Sequence, residues 1–164
     1  MDWTKQIGRY VLVMLLQVLL FNQLQFFGVC HPYIYVMCLL MMPITLPHSV
    51  EMVIGAVIGL IMDVFCNSLG IHMAGCILLM FVRPYVLGTI ISEKERLTEQ
   101  INQQTIGLIA LVKYAAILIP IHHLTVFALS AWSWHHIGFI LLETVVSSII
   151  SFLVIIGYNA LKYR

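Results

Sequence analysis

The chain has 164 residues, of which 62% are hydrophobic and 9% are charged. Soluble domains contain roughly 45–50% apolar and about 25% charged residues. A soluble fold of this size could not bury the additional apolar surface. The net charge is +1, and the eight Lys and Arg residues form no run or patch, so the sequence gives no basis for nucleic-acid binding. The composition therefore indicates an integral membrane protein.

Short polar or Pro- and Gly-containing breaks divide the chain into six apolar runs. Around twenty residues at a rise of about 1.5 Å cross a hydrocarbon core of roughly 30 Å, so six crossings fit within this length. The predicted transmembrane helices are 7–27, 33–46, 50–66, 72–91, 105–129 and 137–161. Pro32 and Pro47 bracket the second run and Pro43 lies inside it, which predicts a helix that is short, kinked or partly non-helical.

The basic residues near the helix ends predict the orientation of the chain. With six crossings, all six basic residues within or just beyond the ends of the predicted helices lie on one side of the membrane. They are Lys5, Arg9, Lys94, Arg96, Lys162 and Arg164. The loops on the other side, 28–32, 67–71 and 130–136, contain no Lys or Arg, so the positive-inside rule places both termini in the cytoplasm.

Sequence motifs of soluble enzymes are missing from the chain. It has no Gly-rich phosphate loop, no G-x-S-x-G and no H-E-x-x-H, so no catalytic, metal-binding or cofactor-binding residue is predicted. The four cysteines have no C-x-x-C spacing and are interpreted as small apolar packing residues. No internal repeat or linker is evident, which predicts a single transmembrane domain over residues 1–164.

Ionisable residues within the apolar runs are the candidates for function. Charged groups at membrane depth cost free energy, so they are rarely present there without a role. Asp63, His72 and Glu143 fall in the outer half of their predicted helices. Arg83 lies about eight residues from a cytoplasmic helix end and is expected to pair with Asp63 or Glu51. Interhelical hydrogen bonds and ion pairs are favoured over a proton relay or substrate site, since the inner half offers only Glu51 as an acid.

Small and polar residues also predict how the helices pack. Gly55 and Gly59 form a G-x-x-x-G motif, which allows close approach either of a partner's helix or of a neighbour within the bundle. One polar stripe at i, i+4 and i+8 of the sixth helix must face protein rather than lipid. The stripe consists of Glu143, Ser147 and Ser151. Gln17, an isolated polar residue of the first helix, has the same preference for a protein neighbour.

A pattern of small and charged residues extends through the third and fourth predicted helices. It reads Gly55-x-x-x-Gly59-Leu60-x-x-Asp63, then Gly70-x-His72, then Arg83-Pro84. The stretch LFNQLQFFG at 20–28 and the break between Pro43 and Pro47 accompany it. Over about residues 10–90, the chain resembles the bacterial rod-shape-determining MreD family.

The resemblance implies a small, non-enzymatic six-helix protein of the bacterial inner membrane that takes part in cell elongation and regulates peptidoglycan synthesis. It implies that the chain pairs directly with MreC, works alongside the actin-like MreB, the glycosyltransferase RodA and its class B penicillin-binding partner, and contacts membrane lipid. The family has a remote fold-level likeness to the substrate-binding subunits of energy-coupling-factor vitamin transporters. That likeness supplies the alternative, a subunit that binds or transports a small molecule or a lipid precursor. A scaffold should satisfy its outer polar residues internally, whereas a binding subunit needs an open cavity beside them.

Overall fold

The computed structural model describes residues 3–23, 30–92, 101–131 and 137–163, apart from the side chains of Trp3 and Lys5. These residues form an all-helical bundle, and the described ranges contain no β-strand. The helices are α1 (Trp3–Leu19), α2 (Val36–Leu40), α3 (His48–Cys66), α4 (Ile71–Ile90), α5 (Gln103–Ile106), α6 (Leu108–Ala131) and α7 (Ile137–Lys162), with a 3-10 turn at Phe21–Gln23. The predicted all-α class is confirmed.

Four of these helices, α3, α4, α6 and α7, are long and apolar enough to cross a membrane. They contain 19, 20, 24 and 26 residues. At 1.5 Å per residue, these lengths correspond to about 28–39 Å. Large apolar side chains such as Val64, Phe81 and Leu153 are exposed on the outside of the bundle, as expected of helices whose solvent is lipid. The chain is therefore an integral membrane protein.

The first two predicted helices differ from the structure. α1 has 17 residues and ends at Leu19, and residues 24–27 of the predicted first helix lie outside the described part of the chain. The predicted second helix, 33–46, contains only the five helical residues of α2. Pro43 and Pro47 explain this result, because proline lacks the N–H that continues a helix and disfavours helical backbone in the residue before it. The first helix is thus 17 residues long, and the second is short, as its prolines predicted.

The fifth predicted helix is interrupted at its start. Asn102 caps the single turn α5, because its side-chain oxygen accepts the N–H groups of Gln104 at 2.8 Å and Thr105 at 3.1 Å. Gly107 then adopts a φ of +78°, a left-handed conformation that suits glycine and ends the turn. The long helix α6 consequently begins at Leu108.

α3 and α4 form a closely packed antiparallel hairpin, whose turn includes Gly70 at a φ of +82°. A Cβ atom on Gly59 would lie 2.5 Å from the Cα of Met73, and one on Gly55 would lie 2.7 Å from the Cγ of Met80. Both glycines are therefore covered by α4 and serve packing within the chain. These contacts support one of the two predicted roles, packing against a neighbour within the bundle, and the role in an interface with a partner stays a prediction.

α2 belongs to a segment that runs through the middle of the bundle, here called the central segment (residues 30–42). No residue from Ile34 to Met42 is more than 6% exposed. Helices α1, α4, α6 and α7 all contact this segment. The second predicted helix is thus a buried core element, and its apolar side chains contact protein rather than lipid.

Contacts between the helices define two ends of the bundle. At the first, here called the Asp63 end, the last part of α3 meets the first part of α4 through Asp63 and His72. At the second, the Arg83 end, Arg83 of α4 meets Glu51 near the start of α3 and Tyr114 near the start of α6. Successive long helices therefore run antiparallel, and the central segment leads from the Asp63 end to the Arg83 end.

Candidate functional site

The central segment places main-chain polar groups in the apolar core. Because only five of its residues are helical, N–H groups before α2 and carbonyl groups after it lack partners within the segment. Leaving such groups without a hydrogen-bond partner costs free energy where water is excluded. Two clusters of polar side chains, one at each end of the segment, supply the partners. Gln17, Ser147 and Ser151 form the cluster at the Asp63 end, and Arg83 and Tyr114 form the cluster at the Arg83 end.

Gln17 of α1 pairs the main chain where the segment enters the core. Its Oε1 atom accepts the N–H groups of Ile34 at 2.6 Å and Tyr35 at 3.3 Å. Its Nε2 atom donates to the carbonyl of Pro32 at 3.1 Å and to the side chain of Asn22 at 3.0 Å. Gln17 is 1% exposed and thereby supplies a cap that the residue preceding α2 does not provide.

Two serines of the predicted polar stripe on α7 pair further N–H groups of the central segment. The hydroxyl of Ser147 accepts the N–H of His31 at 2.9 Å, and that of Ser151 accepts the N–H of Tyr33 at 3.0 Å. Glu143, one turn earlier, is only half-buried, and no hydrogen bond or ion pair joins it to another described residue. Glu143 therefore does not help to pair the main chain of the central segment, and its predicted place in the outer polar layer stays a prediction.

Arg83 organises the opposite end of the central segment. Its guanidinium donates to Glu51 Oε1, to the carbonyl of Met42 and, from Nε at 3.0 Å, to the hydroxyl of Tyr114. That hydroxyl in turn donates to the carbonyl of Leu40 at 3.0 Å. The carbonyl groups at and just beyond the end of α2 thus receive donors from α4 and α6. Of the two acids considered as partners of Arg83, the structure selects Glu51.

Asp63 stabilises the start of α4 rather than pairing with an arginine. Its carboxylate accepts the N–H groups of His72 and Met73, each at 2.9 Å, and the hydroxyl of Ser68 at 2.5 Å. A negative charge at this position is favourable, since the first N–H groups of a helix are unpaired and carry the positive end of its dipole. Asp63 is 4% exposed and therefore faces protein.

Tyr35 joins two buried histidines at the Asp63 end. Its hydroxyl oxygen lies 2.9 Å from His72 Nδ1 and 2.8 Å from His122 Nε2. A hydroxyl donates one proton, so one histidine accepts from Tyr35 while the other donates its own N–H to the same oxygen. Asp63 contacts only the main chain of His72, which leaves the imidazole without a carboxylate partner among the described residues. This geometry fits a structural network better than an acid–histidine proton relay.

Several members of the two clusters were not singled out by the sequence as functional. Tyr35 and Tyr114 lie among apolar residues in the sequence. A tyrosine in such a run can be placed for its ring alone, so the sequence does not show that its hydroxyl is used. The acceptors on Leu40 and Met42 are main-chain atoms, which carry no sequence signal. The available signal is the pair Pro43 and Pro47, which predicts a short or partly non-helical second helix. A helix that ends early leaves its last carbonyl groups in need of donors.

A polar cavity of about 370 Å³ lies beside the Asp63 end. Asn22, His31, Tyr33, Ser68 and His72 are among the residues that line it. Its volume is at the low end of the range of roughly 300–1,000 Å³ that is typical of ligand pockets. Within the described ranges, no three His, Cys, Asp or Glu residues are arranged to hold a metal ion. The cavity therefore offers neutral hydrogen-bonding groups and aromatic surface.

Comparison with known proteins identifies one family. A family model described as rod shape-determining protein MreD matches residues 4–161. The matched range contains every residue of the two polar clusters, from Gln17 to Ser151. No curated protein and no solved structure matches the chain.

Proposed function

The chain belongs to the MreD family of rod shape-determining proteins, and we propose that it is a non-enzymatic scaffold in the machinery that elongates the bacterial cell. The observation that supports this proposal is that the buried polar side chains bond the main chain of the protein itself. Gln17, Arg83 and Tyr114 all bond main-chain groups of the central segment. Side chains committed to holding the fold are not free for chemistry on a substrate.

The chain crosses the bacterial inner membrane six times, with both termini in the cytoplasm. α1 and the central segment supply the first two crossings, and α3, α4, α6 and α7 supply the other four. The direction of the central segment, from the Asp63 end to the Arg83 end, supports this count. Arg9 near the start of α1 and Lys162 at the end of α7 support the orientation, since antiparallel packing brings those two helix ends to the same side.

The scaffold works by presenting rigid helix faces to partner proteins within the bilayer. The two polar clusters tie α1, α4, α6 and α7 to the central segment, and the Glu51–Arg83 pair ties α3 to α4. The outer faces of these helices therefore keep fixed relative positions. The chain pairs directly with MreC and, through this pair, acts with MreB, RodA and the class B penicillin-binding protein to regulate peptidoglycan synthesis. The outward faces are apolar, which suits contact with membrane-spanning segments and with lipid.

Cell shape in the source bacterium tests this function. Deleting the gene for the chain should turn rods into wide, rounded cells, and expression of the chain from a plasmid should restore the rod shape. The Glu143→Gln variant should restore shape equally well, because Glu143 holds no described residue in place. Rod-shaped cells after a verified deletion would contradict the proposal.

The polar cavity beside the Asp63 end favours a second candidate function, the binding of a small molecule or the headgroup of a lipid precursor. The predicted likeness to energy-coupling-factor substrate-binding subunits belongs with this candidate and stays a prediction. Native mass spectrometry of the chain, extracted in mild detergent, distinguishes the two. A bound species that is lost when Ser68 is replaced by Leu would support binding, and an unliganded chain would support the scaffold alone.

A further inference from the structure

The polar cavity beside the Asp63 end lies at the surface of the membrane. His72 is the second residue of α4, and Phe65 and Ser130 are the next-to-last residues of α3 and α6. All three line the cavity, which is therefore at the level where three membrane-spanning helices begin or end. Water and lipid headgroups are present at that level of a bilayer. A polar ligand can thus reach the cavity from the aqueous phase or as part of a lipid.

Several polar groups of the cavity wall are free to bond a ligand. Gln23, His31 and Tyr33 line it with side chains that are at least partly exposed and form no hydrogen bond to another described residue. His72 is 4% exposed and pairs its Nδ1 atom with the hydroxyl of Tyr35. Its Nε2 atom has no partner within the described ranges and is not fully enclosed. A buried imidazole therefore presents an unpaired nitrogen at the cavity.

The described wall of the cavity has no permanently charged side chain. Neither Lys, Arg, Asp nor Glu is among the described residues that line it, and the adjoining stretches 24–29 and 132–136 contain none in their sequence. Asp63, which bonds Ser68 of the wall, already accepts from three donors. A phosphate, or the paired charges of an amino acid, would lose hydration here without gaining a counter-charge. The wall therefore favours an uncharged ligand.

We propose that this cavity binds a sugar residue, either as a free sugar or as the headgroup of a lipid. The inference deepens the second candidate function, binding at this cavity, and rests on it. A neutral sugar carries several hydroxyl groups, which both donate to and accept from amide, imidazole and hydroxyl side chains. Its ring also has apolar C–H faces, for which Phe21 and Phe65 of the wall provide aromatic surface. The volume of about 370 Å³ leaves room for one such ring.

Saturation-transfer-difference NMR on the whole chain in lipid nanodiscs measures which class of ligand binds. The nanodiscs contain phosphatidylethanolamine, because a detergent with a sugar headgroup would itself compete for the site, and empty nanodiscs give the background. Methyl β-glucoside and N-acetylglucosamine are the sugar probes, and glucose 6-phosphate and the amino acid alanine are the charged controls. Transfer to at least one sugar probe should exceed transfer to both charged controls. Transfer to neither sugar probe, or equal transfer to a charged control, would overturn the inference.

A glycolipid distinguishes the two sources of the sugar. Glucosyl diacylglycerol is added to the nanodiscs, and diacylglycerol without the sugar is the control. If the glycolipid alone displaces the soluble sugar probe, the ligand is a lipid headgroup. If neither lipid displaces the probe, the ligand is a free sugar, and both results support the sugar class. Displacement by diacylglycerol itself would show that the site selects the lipid tail, which would contradict the proposal.

A pair of serine substitutions connects binding to this cavity. Ser130→Leu narrows the cavity, and the hydroxyl that it removes bonds the carbonyl of Val126 in its own helix, so contacts between helices are kept. Ser49→Leu, at an exposed serine near the start of α3 at the Arg83 end, is the matched control. Sugar binding should be lost in Ser130→Leu and kept in Ser49→Leu. Equal binding to the two variants, with both folded by circular dichroism, would overturn the inference.

His72→Asn tests the unpaired nitrogen separately. Asparagine retains an acceptor for the hydroxyl of Tyr35 but has no group in the place of Nε2. Sugar binding should weaken about two- to tenfold, the effect of one hydrogen bond, while the melting temperature stays close to that of the unsubstituted chain. Unchanged sugar binding would show that Nε2 does not contact the ligand and would contradict the proposed site.

The outcomes separate this inference from the functions proposed above. If no sugar or charged probe binds and native mass spectrometry finds no bound species, the second candidate function itself is wrong. If a charged control binds and Ser130→Leu abolishes its binding, the cavity is a binding site but the sugar class is wrong. The scaffold function does not depend on either result.

Discussion

The guanidinium of Arg83 is 1% exposed and donates to acceptors in three parts of the chain: Glu51, the carbonyl of Met42 and the hydroxyl of Tyr114. An ion pair alone gains little in such a setting, because the loss of hydration of both charges offsets their attraction. The additional bonds to uncharged acceptors satisfy the remaining N–H groups of the arginine. One residue thus pairs with a buried acid and also pairs a carbonyl group just beyond α2, a helix that stops inside the bundle.

Removing this side chain is expected to be among the most damaging single substitutions in the chain. Arg83→Leu should lower the free energy of unfolding in detergent by about 3–5 kcal/mol, since Glu51 is left charged and buried. Arg83→Lys should cost less, because one ammonium retains the pair with Glu51 but cannot reach every acceptor. Thermal unfolding monitored by circular dichroism measures both. Equal stability of Arg83→Leu and the unsubstituted chain would contradict the assigned contacts.

At the scale of secondary-structure elements, the central segment is held by side chains at both ends and by close packing along its length. Gln17 makes three bonds to its main chain, more than any other single side chain described. Two native cysteines can report whether the segment is buried. Cys38 within the segment is 1% exposed, whereas Cys66 is partly exposed.

Maleimide labelling of the native cysteines measures how firmly the segment is enclosed. In the folded chain, Cys66 should react and Cys38 should not. Gln17→Leu leaves the N–H groups of Ile34 and Tyr35 without an acceptor, which should cost about 1–3 kcal/mol and make Cys38 reactive. Labelling of Cys38 as fast as Cys66 in the unsubstituted chain would show that the segment is not buried.

The α3–α4 hairpin makes a separate prediction about glycine. Gly59→Ala places a methyl group against the main chain of Met73, which cannot move aside as a side-chain tip could, and should lower stability by about 1–3 kcal/mol. Gly157→Ala is the matched control, since its methyl group would meet no atom within 4 Å. Its stability should stay within about 1 kcal/mol of the unsubstituted chain, as judged by melting in detergent. Equal effects of the two substitutions would argue against close packing at Gly59.

The long helices were predictable from sequence, because a run of twenty apolar residues has few alternatives in a bilayer. The central segment was not, because apolar residues such as Leu39 and Met42 suit a lipid-facing helix and a buried core equally well. Only Pro43 and Pro47 indicated non-helical backbone. The position of Arg83 along its helix predicted a depth between those of two acids, Asp63 and Glu51. Which acid it contacts depends on how α3 and α4 align, and the spacing in the sequence does not determine that alignment.

At the scale of the whole molecule, the proposed topology predicts which residues are reachable from outside the cell. A cysteine introduced at position 67, in the turn at the Asp63 end, should react with a membrane-impermeant reagent applied to intact cells, after Cys66 is replaced by Ser. A cysteine at position 98, in the polar stretch between the fourth and fifth predicted helices, should react only after the membrane is opened. Labelling of position 98 but not position 67 from outside would overturn the six-crossing arrangement.

We propose that the bundle works by pairing with another membrane protein, and recovery of MreC is the most direct test of this pairing. The affinity-tagged chain is purified in mild detergent from the source bacterium, and the MreC that accompanies it is quantified. An unrelated multi-pass membrane protein with the same tag and similar abundance provides the background level. We expect MreC recovery well above that background. Recovery no greater than background, from membranes in which both proteins are present, would contradict it.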